Sequence, residues 1–295
     1  MRSCTVLPSV PRRIGIHRLA RGDSGRTVVW CHPSPGAGTL DPDPAVTASR
    51  GVSLLGVDRP GYGDSAPVAE GEWATVDLAA EDIAEVLLRD GTGPVGAVGW
   101  DAGGWTALAL AARHPDMVDR VALLATPAPE SAVPWMPADL RETLAALTHA
   151  GASEARRRIA DALAGRVPAK LASDRAFDLL ARSPADAGTL ASVSRRTRLG
   201  QMLAAAFADG IDGYASDVSG YGLRPWGFRV EDVKARTLLL YGSKDPVCAS
   251  RHGRWWQSQL PNARLEMAPG AGHLLVFSRW PRVMSHLAPG LARRT

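Results

Sequence analysis

The sequence predicts an α/β protein in which a mostly parallel central sheet carries helices on both faces and is interrupted by a helical insertion. Short β-branched runs alternate with alanine-rich helical stretches up to Pro127, and this rhythm returns at Thr237. Alternating strands and helices indicate a parallel sheet. The strands are also nearly continuous in apolar residues, as in Val121-Ala122-Leu123-Leu124, which is typical of a sheet covered on both faces.

The individual elements follow from hydrophobic periodicity and from glycine and proline breaks. Apolar residues at helical spacing, such as Ile83, Val86 and Leu87, distinguish a helix from a strand. From about residue 130 to residue 226 the helical period continues with almost no strand signal. We therefore expect a core of residues 1–129 and 227–295 and a helical cap of residues 130–226. The predicted strands span 26–31, 52–58, 95–100, 118–125, 237–241 and 264–267, and the predicted core helices span 79–88, 102–114 and 251–260.

Composition excludes several classes of protein. The chain has 295 residues, of which 45% are hydrophobic and 22% charged, as in an ordinary globular domain. No apolar run reaches the roughly 18 residues of a membrane span, and the first eight residues lack the apolar stretch of a signal peptide. Three cysteines, Cys4, Cys31 and Cys248, stand at no metal-like spacing. They are consistent with a reducing compartment, so we expect a cytoplasmic protein.

The net charge of +4 does not indicate nucleic-acid binding. Basic residues are spread along the chain, and the one tight cluster, Arg156-Arg157-Arg158, shares a helical stretch with Glu154 and Asp161. This pattern is typical of a solvated helix face, and no nucleic-acid motif accompanies it. We expect no nucleic-acid or membrane partner.

The sharpest motif is Gly99-Trp100-Asp101-Ala102-Gly103-Gly104, at a predicted strand-to-helix junction. Small residues are needed there because the two backbones approach closely. The motif resembles the nucleophile elbow of the α/β-hydrolase family, G-x-Nuc-x-G. Four further segments resemble family landmarks in the family's order: the oxyanion loop at 32–36, the D-x-P-G-x-G-x-S turn at 58–65, the segment of the catalytic acid at 242–247 and the histidine segment at 270–273.

The elbow carries Asp101 where most members of the family carry serine. A carboxylate can displace at saturated carbon and give an alkyl ester that histidine-activated water cleaves. In this respect the chain resembles epoxide hydrolases and haloalkane dehalogenases. The resemblance implies that Asp101 is the nucleophile, His273 the base and Asp245 the acid that orients it. It also implies an oxyanion hole formed by the backbone N–H groups of Ser34 and Ala102.

Further candidate residues follow from the epoxide interpretation. Epoxide hydrolases polarise the ring oxygen with cap tyrosines, so Tyr214 and Tyr221 are the candidate acids. The dehalogenase interpretation is weaker because the halide-binding tryptophan that follows the nucleophile in that family is replaced by Ala102. The candidate pocket residues are His32, Trp100, Trp135 and Trp226. The resemblance also implies a small apolar organic substrate, no cofactor and no metal, and we expect a monomer or homodimer.

Two alternatives remain open. In the first, Asp101 replaces the serine of a serine hydrolase, because the surroundings of the elbow resemble the G-W-S-x-G-G elbow of those enzymes. Asp101 would then act as a general base in a lyase, cyclase or dehydratase of specialised metabolism. Aspartate is also a good helix N-cap. In that case Asp101 would be a non-catalytic replacement of serine, and the chain a catalytically silent ligand-binding member of the family.

Overall fold

Seven strands form one sheet in the computed structural model, which describes residues 12–171 and 173–290. The spatial order is β1-β3-β2-β4-β5-β6-β7; β1 runs antiparallel to β3, and all other neighbours are parallel. The predictions about the first eight residues and Cys4 lie outside the described residues. The strands are β1 (Ile16–Ala20), β2 (Thr27–Cys31), β3 (Ser53–Val57), β4 (Val95–Trp100), β5 (Val118–Leu124), β6 (Arg236–Gly242) and β7 (Ala263–Ala268).

Eleven helices accompany the sheet within the described residues. Those before β5 are α1 (Pro44–Ser49), α2 (Val76–Arg89) and α3 (Gly103–Arg113). Those between β5 and β6 are α4 (Ala138–Ala146), α5 (Ala152–Ala164), α6 (Asp174–Phe177), α7 (Ala187–Leu190), α8 (Val193–Ala206) and α9 (Asp212–Leu223). The chain then adds α10 (Ser250–Gln259) and α11 (Leu275–Leu287).

The predicted fold class is confirmed, although three elements escaped prediction. Strand β1 is an edge strand with only partial burial, so its sequence carries little apolar alternation. Helix α1 has six residues, too few for a helical period to stand out. Helix α11 contains Pro281, which normally indicates a helix end. The described residues between β5 and β6 form only helical and irregular structure; we call residues 130–226 the inserted segment, and its boundaries stay a prediction.

The parallel arrangement directs the carboxyl ends of β2, β4, β5 and β6 to the same edge of the sheet, where open α/β sheets bind their ligands. Side chains of β4 are buried along its whole length, and β2, β5 and β6 become buried toward their carboxyl ends. No helix among the described residues is long and apolar enough to cross a membrane. The cytoplasmic location stays a prediction.

The junction of β4 and α3 depends on close backbone contact. A Cβ atom on Gly99 would lie 2.4 Å from both the Gly103 carbonyl oxygen and the Gly104 Cα. A Cβ on Gly103 would lie 2.1 Å from the Cys31 carbonyl oxygen of β2. Between these glycines Asp101 has φ = 53°, a left-handed conformation that non-glycine residues rarely adopt. The turn therefore lifts this one side chain away from the sheet.

We predict that Gly99→Ala lowers the free energy of unfolding by about 2 to 3 kcal/mol, because the added methyl group meets backbone atoms that have no room to move. Chemical denaturation measures the change. The matched control is Gly93→Ala, since no heavy atom lies within 4 Å of its added Cβ; we expect its effect to stay below about 0.5 kcal/mol. Equal effects of the two substitutions would contradict the packing argument.

Candidate active site

The elbow presents the Asp101 carboxylate to a cavity at the carboxyl ends of the strands. The Asp101 N–H donates to the Leu124 carbonyl oxygen of β5 at 2.9 Å, which fixes the turn against the sheet. The Asp101 side chain keeps 17% of its surface exposed, whereas that of His273 keeps 2%. A molecule in the cavity can therefore reach the carboxylate directly.

The two oxygens of Asp101 have different surroundings. The Ser34 N–H donates to Oδ2 at 3.1 Å, and the Ala102 N–H also donates to the carboxylate. These are the two backbone groups predicted for the oxyanion hole. The other oxygen, Oδ1, lies 3.9 Å from His273 Nε2. The carboxylate thus accepts the Ser34 donor of the predicted oxyanion hole with Oδ2 and faces the histidine with Oδ1.

His273 and Asp245 complete the predicted set of three residues. The Asp245 Oδ2 atom lies 2.8 Å from His273 Nδ1. The other Asp245 oxygen accepts N–H groups from Val247 at 2.9 Å and Cys248 at 2.8 Å. Because both of its oxygens are fixed, Asp245 holds the imidazole with Nε2 toward Asp101. The structure brings Asp101, His273 and Asp245 together in the arrangement of a catalytic triad.

Burial and charge shift the pKa values of all three groups. Burial raises the pKa of Asp101 above its usual value, although His273 and the two amides act to lower it. Burial acts to lower the pKa of His273, but Asp245 and then Asp101 raise it to about 9. Burial acts to raise the pKa of Asp245, but the charge and hydrogen bond of His273 outweigh it, so this pKa is lowered. With a pKa of about 9, the His273 imidazole carries its proton at neutral pH, between Asp101 and Asp245.

We predict that the His273 imidazole titrates near pH 9 rather than near 6.5, and that Asp101→Asn lowers this pKa because it removes one negative charge. NMR of isotope-labelled histidine measures both values, with Asp161→Asn as a remote control. The folded protein binds this proton more tightly than the unfolded chain. His273 therefore adds stability that is complete below about pH 6.5 and is lost as the pH rises through about 9. An unchanged pKa in Asp101→Asn would contradict this account.

Arg59 connects the oxyanion loop to the inserted segment. Its side chain is 3% exposed and pairs with Asp217 of α9, which is 2% exposed, at 2.6 Å. The guanidinium also donates to the backbone oxygens of His32 and, at 2.8 Å, Pro33. Burial acts to lower the pKa of Arg59, but the charge of Asp217 raises it above its ordinary value. The residues just before Ser34 are therefore positioned by a buried ion pair.

We predict that Asp217→Ala lowers the free energy of unfolding by about 3 to 5 kcal/mol, because it leaves the Arg59 charge buried without its partner. Chemical denaturation measures the loss. The double variant Arg59→Met/Asp217→Leu should recover much of it, since neither charge remains. The control is Glu231→Ala, which breaks the exposed pair of Glu231 with Arg229 and should leave the unfolding midpoint unchanged. Only a slight fall in the free energy of unfolding of Asp217→Ala would contradict the prediction, because it would mean that water reaches the Arg59 guanidinium.

The inserted segment also contacts the histidine loop through Asp186. This carboxylate is 2% exposed, and its Oδ1 accepts the Leu274 N–H at 3.0 Å, one residue beyond His273. Its Oδ2 accepts the Ser183 N–H at 2.9 Å. A Cβ on Gly272 would lie 2.2 Å from the same oxygen. A side chain at position 272 would therefore have to displace the buried Asp186 carboxylate, and the inserted segment binds the backbone just after His273.

The reaction cavity lies between the triad and the inserted segment. Its volume is about 250 Å³, and its lining is largely apolar, with Leu140, Leu163 and Leu180 among the wall residues. Both candidate tyrosines line it. The Tyr221 hydroxyl lies 3.4 Å from Thr106 Oγ1, whereas the Tyr214 hydroxyl forms no hydrogen bond with the residues that the structure describes. Burial and then the charge of Asp101 raise the pKa of Tyr214 to about 12, so its phenol keeps its proton.

The four predicted pocket residues lie in three different places. Trp135 lines the reaction cavity, and Trp226 lines an adjoining cleft. His32 and Trp100 do not line either space and lie behind the cavity wall. The buried Trp100 donates its indole N–H to the His273 carbonyl oxygen at 3.1 Å. His32 accepts the Arg59 N–H at 3.1 Å, and burial, with the Arg59 charge, keeps its pKa well below the usual value.

Two groups of side chains among the described residues come close enough to share a metal ion. One is Asp245, Cys248 and His273, where Asp245 and His273 already bond to each other. The other is His17, Asp58 and Asp64. There Asp58 contacts His17 at 2.6 Å and accepts the backbone N–H groups of Gly38 and Asp64. In both groups carboxylate oxygens already have hydrogen-bond partners in the protein.

Sequence reasoning missed Arg59, Asp217 and Asp186. Arg59 occupies the variable position of the D-x-P-G-x-G-x-S motif, so the motif itself gave no signal for its role. Asp217 and Asp186 belong to the inserted segment and stand in no motif. One chemical signal was available. Most residues of α9 are small or apolar, and a buried aspartate in such a helix needs a cationic partner.

Comparison with known proteins places the chain in a family. A family model described as the alpha/beta hydrolase fold matches residues 28–279. The chain therefore belongs to the α/β-hydrolase fold family and is an enzyme of that class.

Individual relatives agree with this assignment. The chain is 27% identical over 217 residues to a pimeloyl-(acyl-carrier protein) methyl ester esterase of Chromobacterium violaceum, a match that covers 74% of this chain and 75% of that protein. It is 26% identical over 274 residues to a 2-hydroxy-6-oxononadienedioate/2-hydroxy-6-oxononatrienedioate hydrolase of Burkholderia vietnamiensis, covering 90% of this chain and 85% of that one. A thermophilic esterase of Thermogutta terrifontis shares the fold, with a TM-score of 0.67 and 21% identity over 93% of this chain and 91% of that chain.

Proposed function

We propose that this enzyme hydrolyses an epoxide through an alkyl ester on Asp101. One observation carries the proposal: Asp101 lines the cavity, its Oδ2 accepts the Ser34 N–H, and its Oδ1 accepts no such bond and lies 3.9 Å from His273 Nε2. A carboxylate held in this way has one oxygen available for attack at carbon. Its other oxygen already lies where negative charge develops when the ester is later hydrolysed.

The same geometry argues against the ester chemistry named for the relatives. An ester substrate must place its carbonyl oxygen on the oxyanion donors. In this chain the donors of Ser34 and Ala102 are engaged by the enzyme's own carboxylate. A substrate carbonyl oxygen would have to displace a negative charge from them, which favours a substrate that needs no oxyanion hole in the first step.

In the first step, Asp101 Oδ1 attacks an epoxide carbon. A carbon–oxygen ester bond forms as the ring carbon–oxygen bond breaks, and the ring oxygen leaves as an alkoxide that takes the proton of the Tyr214 hydroxyl. Tyr214 suits this role because it lines the cavity and its raised pKa keeps the proton in place at neutral pH.

In the second step, His273 takes a proton from water, and the water oxygen adds to the ester carbonyl carbon. The resulting negative charge lies on Oδ2, where Ser34 and Ala102 stabilise it. Collapse breaks the ester bond, and the leaving alkoxide takes the proton of the carboxylic acid re-formed on Asp101, which gives the diol and the free carboxylate; His273 keeps the proton taken from water, as at the start. Esterification also prepares the base: it removes the Asp101 charge, which is one of the causes that raise the pKa of His273. The imidazole therefore releases its first proton before water attacks, and that proton returns through solvent to the Tyr214 phenolate.

Dehalogenation is less well supported. A halide needs free donors beside the nucleophile, and the two neighbouring indoles are engaged elsewhere: Trp100 donates to the His273 carbonyl oxygen at 3.1 Å and Trp105 to the Pro127 carbonyl oxygen at 2.7 Å. Ala102 offers no side-chain donor.

Base catalysis by Asp101 is the second candidate, as in a lyase, cyclase or dehydratase. The raised pKa of Asp101 favours it, because burial makes the carboxylate a better proton acceptor. A ligand-binding role without catalysis would need only the cavity. The following experiment separates the three.

We predict that a single turnover in heavy-oxygen water, with enzyme in excess over a panel of epoxides, puts the label into the Asp101 carboxylate. Mass analysis of the peptide that carries Asp101 detects it. Asp101→Asn, which keeps the shape of the side chain, is the unreactive control. Turnover without label would support base catalysis, and no turnover with any epoxide would support the binding role; either result overturns the proposal.

We predict that Tyr214→Phe lowers the rate of alkylation about 100-fold or more, because it removes the proton donor. Tyr221→Phe is the matched control, since its hydroxyl already contacts Thr106; we expect it to lose less than tenfold. Pre-steady-state kinetics with one epoxide measures both rates. A loss below about tenfold in Tyr214→Phe, or an equal loss in Tyr221→Phe, would contradict the assignment of the proton donor to Tyr214 alone.

A further inference from the structure

The peptide bond that joins His273 to Leu274 is held at both ends by buried side chains. Its carbonyl oxygen, which belongs to His273, accepts the Trp100 indole N–H at 3.1 Å. Its N–H, which belongs to Leu274, donates to Asp186 Oδ1 at 3.0 Å. Trp100 is fully buried and Asp186 nearly so, so water hardly competes for either bond. We call Trp100, Asp186 and this peptide bond the histidine clamp.

The two side chains of the histidine clamp come from different parts of the molecule. Trp100 ends β4 and directly precedes Asp101. Asp186 belongs to the inserted segment, where its Oδ2 accepts the Ser183 N–H at 2.9 Å and the Ser183 hydroxyl at 3.1 Å. Each Asp186 oxygen therefore has its own donors, and the carboxylate cannot turn without breaking hydrogen bonds on both sides. The clamp fixes the histidine loop against the strand of the elbow and against the inserted segment.

The histidine clamp fixes the point from which the imidazole extends. A peptide unit is planar, and the Cα atom of His273 lies in the plane of this one. Because hydrogen bonds hold both the oxygen and the nitrogen of the unit, they also fix that Cα atom. At the other end of the side chain, Nδ1 lies 2.8 Å from Asp245 Oδ2. The ring is thus held at both ends, with Nε2 toward Asp101.

The two steps of the proposed mechanism depend on the imidazole to different extents. In the first step, Asp101 attacks carbon and Tyr214 gives its proton, so His273 does not act as a base. In the second step, His273 Nε2 must reach the water that attacks the ester. A displacement of about 1 Å in a reacting group can cost on the order of 100-fold in rate. Loss of the histidine clamp should therefore slow the second step and spare the first.

We propose that Asp186 is a positioning residue for His273, which holds the imidazole through the histidine clamp for hydrolysis of the alkyl ester. Asp186 is not among the residues that line the reaction cavity, so it acts through His273 rather than on the reacting atoms. The inserted segment then takes part in the second step without touching the substrate there. The inference rests on the proposed function, because it assigns Asp186 to one of the two steps.

The test compares the two steps in the same enzyme. Asp186→Ala removes both acceptor oxygens, and we expect it to slow hydrolysis of the alkyl ester about tenfold or more, so that the ester accumulates. Alkylation should stay within about threefold of the wild-type rate. Rapid quenching followed by mass analysis of the protein measures both rates. Ser183→Ala is the matched control, because it removes a hydroxyl on the far side of Asp186 and keeps the bond to Leu274; both rates should stay unchanged.

Asp186→Asn separates the hydrogen bonds from the charge. It removes the charge, as Asp186→Ala does, but keeps one acceptor oxygen for the two sets of donors. We expect it to slow hydrolysis by only about threefold, a part of the worth of one hydrogen bond. Equal slowing of hydrolysis in the two variants would assign the effect to the charge, and equal slowing of both steps would assign it to a general loss of structure. Either result overturns the proposal, as does normal hydrolysis in Asp186→Asn if Asp186→Ala does not fold.

A spectroscopic measurement needs no substrate. The Nδ1 proton of His273 lies between the ring and Asp245, and its exchange with water, measured by NMR, reports how firmly the ring is held. We expect this exchange to become about tenfold faster in Asp186→Ala and to stay unchanged in Ser183→Ala. Equal exchange in the wild-type protein and Asp186→Ala overturns the proposal. A missing label on Asp101 would overturn the epoxide mechanism instead, and the exchange rate would still decide whether Asp186 positions His273.

Discussion

The close contact of β4 with α3 is the constraint on which the site depends. Gly103 lets α3 approach the end of β2, and Gly99 lets β4 and α3 approach until no side chain fits between their backbones. The turn that joins them forces Asp101 into a left-handed conformation. This strain directs the side chain into the oxyanion hole, where Ser34 from the β2 loop meets it. The reactive group is thus positioned by packing of small residues, and the energy of that packing offsets the strain at one residue.

Buried charged groups hold the remaining parts of the site in position. His273 stands between Asp101 and Asp245, so its proton is held by two carboxylates from different strands. A second buried pair, Arg59 with Asp217, joins the loop before the oxyanion donors to the inserted segment. Each charge in these two groups lies close to an opposite one, which is the condition for keeping charges buried. The inserted segment therefore contributes a charged group to the site and also covers it.

The fold and the proximity of Asp101, Asp245 and His273 could be predicted because each of their sequence signals is local. Strand and helix periods and the glycines of the elbow lie within a few residues of one another. The Arg59–Asp217 pair joins positions 158 residues apart, and nothing near either residue reveals its partner. The placement of Trp100 was missed for another reason: successive residues of a strand point to opposite faces. Trp100 turns beneath the histidine loop while the next residue, in the turn, faces the cavity.

The position of the Asp101 carboxylate on the Ser34 N–H also determines which reagents recognise the enzyme. Fluorophosphonates and related probes of serine hydrolases need an activated hydroxyl and vacant backbone donors for the phosphoryl oxygen. This elbow offers a carboxylate in place of the hydroxyl, and that carboxylate accepts the Ser34 and Ala102 N–H groups. The protein shares the fold of serine hydrolases but lacks the chemistry by which they are labelled. Surveys of a proteome with such probes would pass over it.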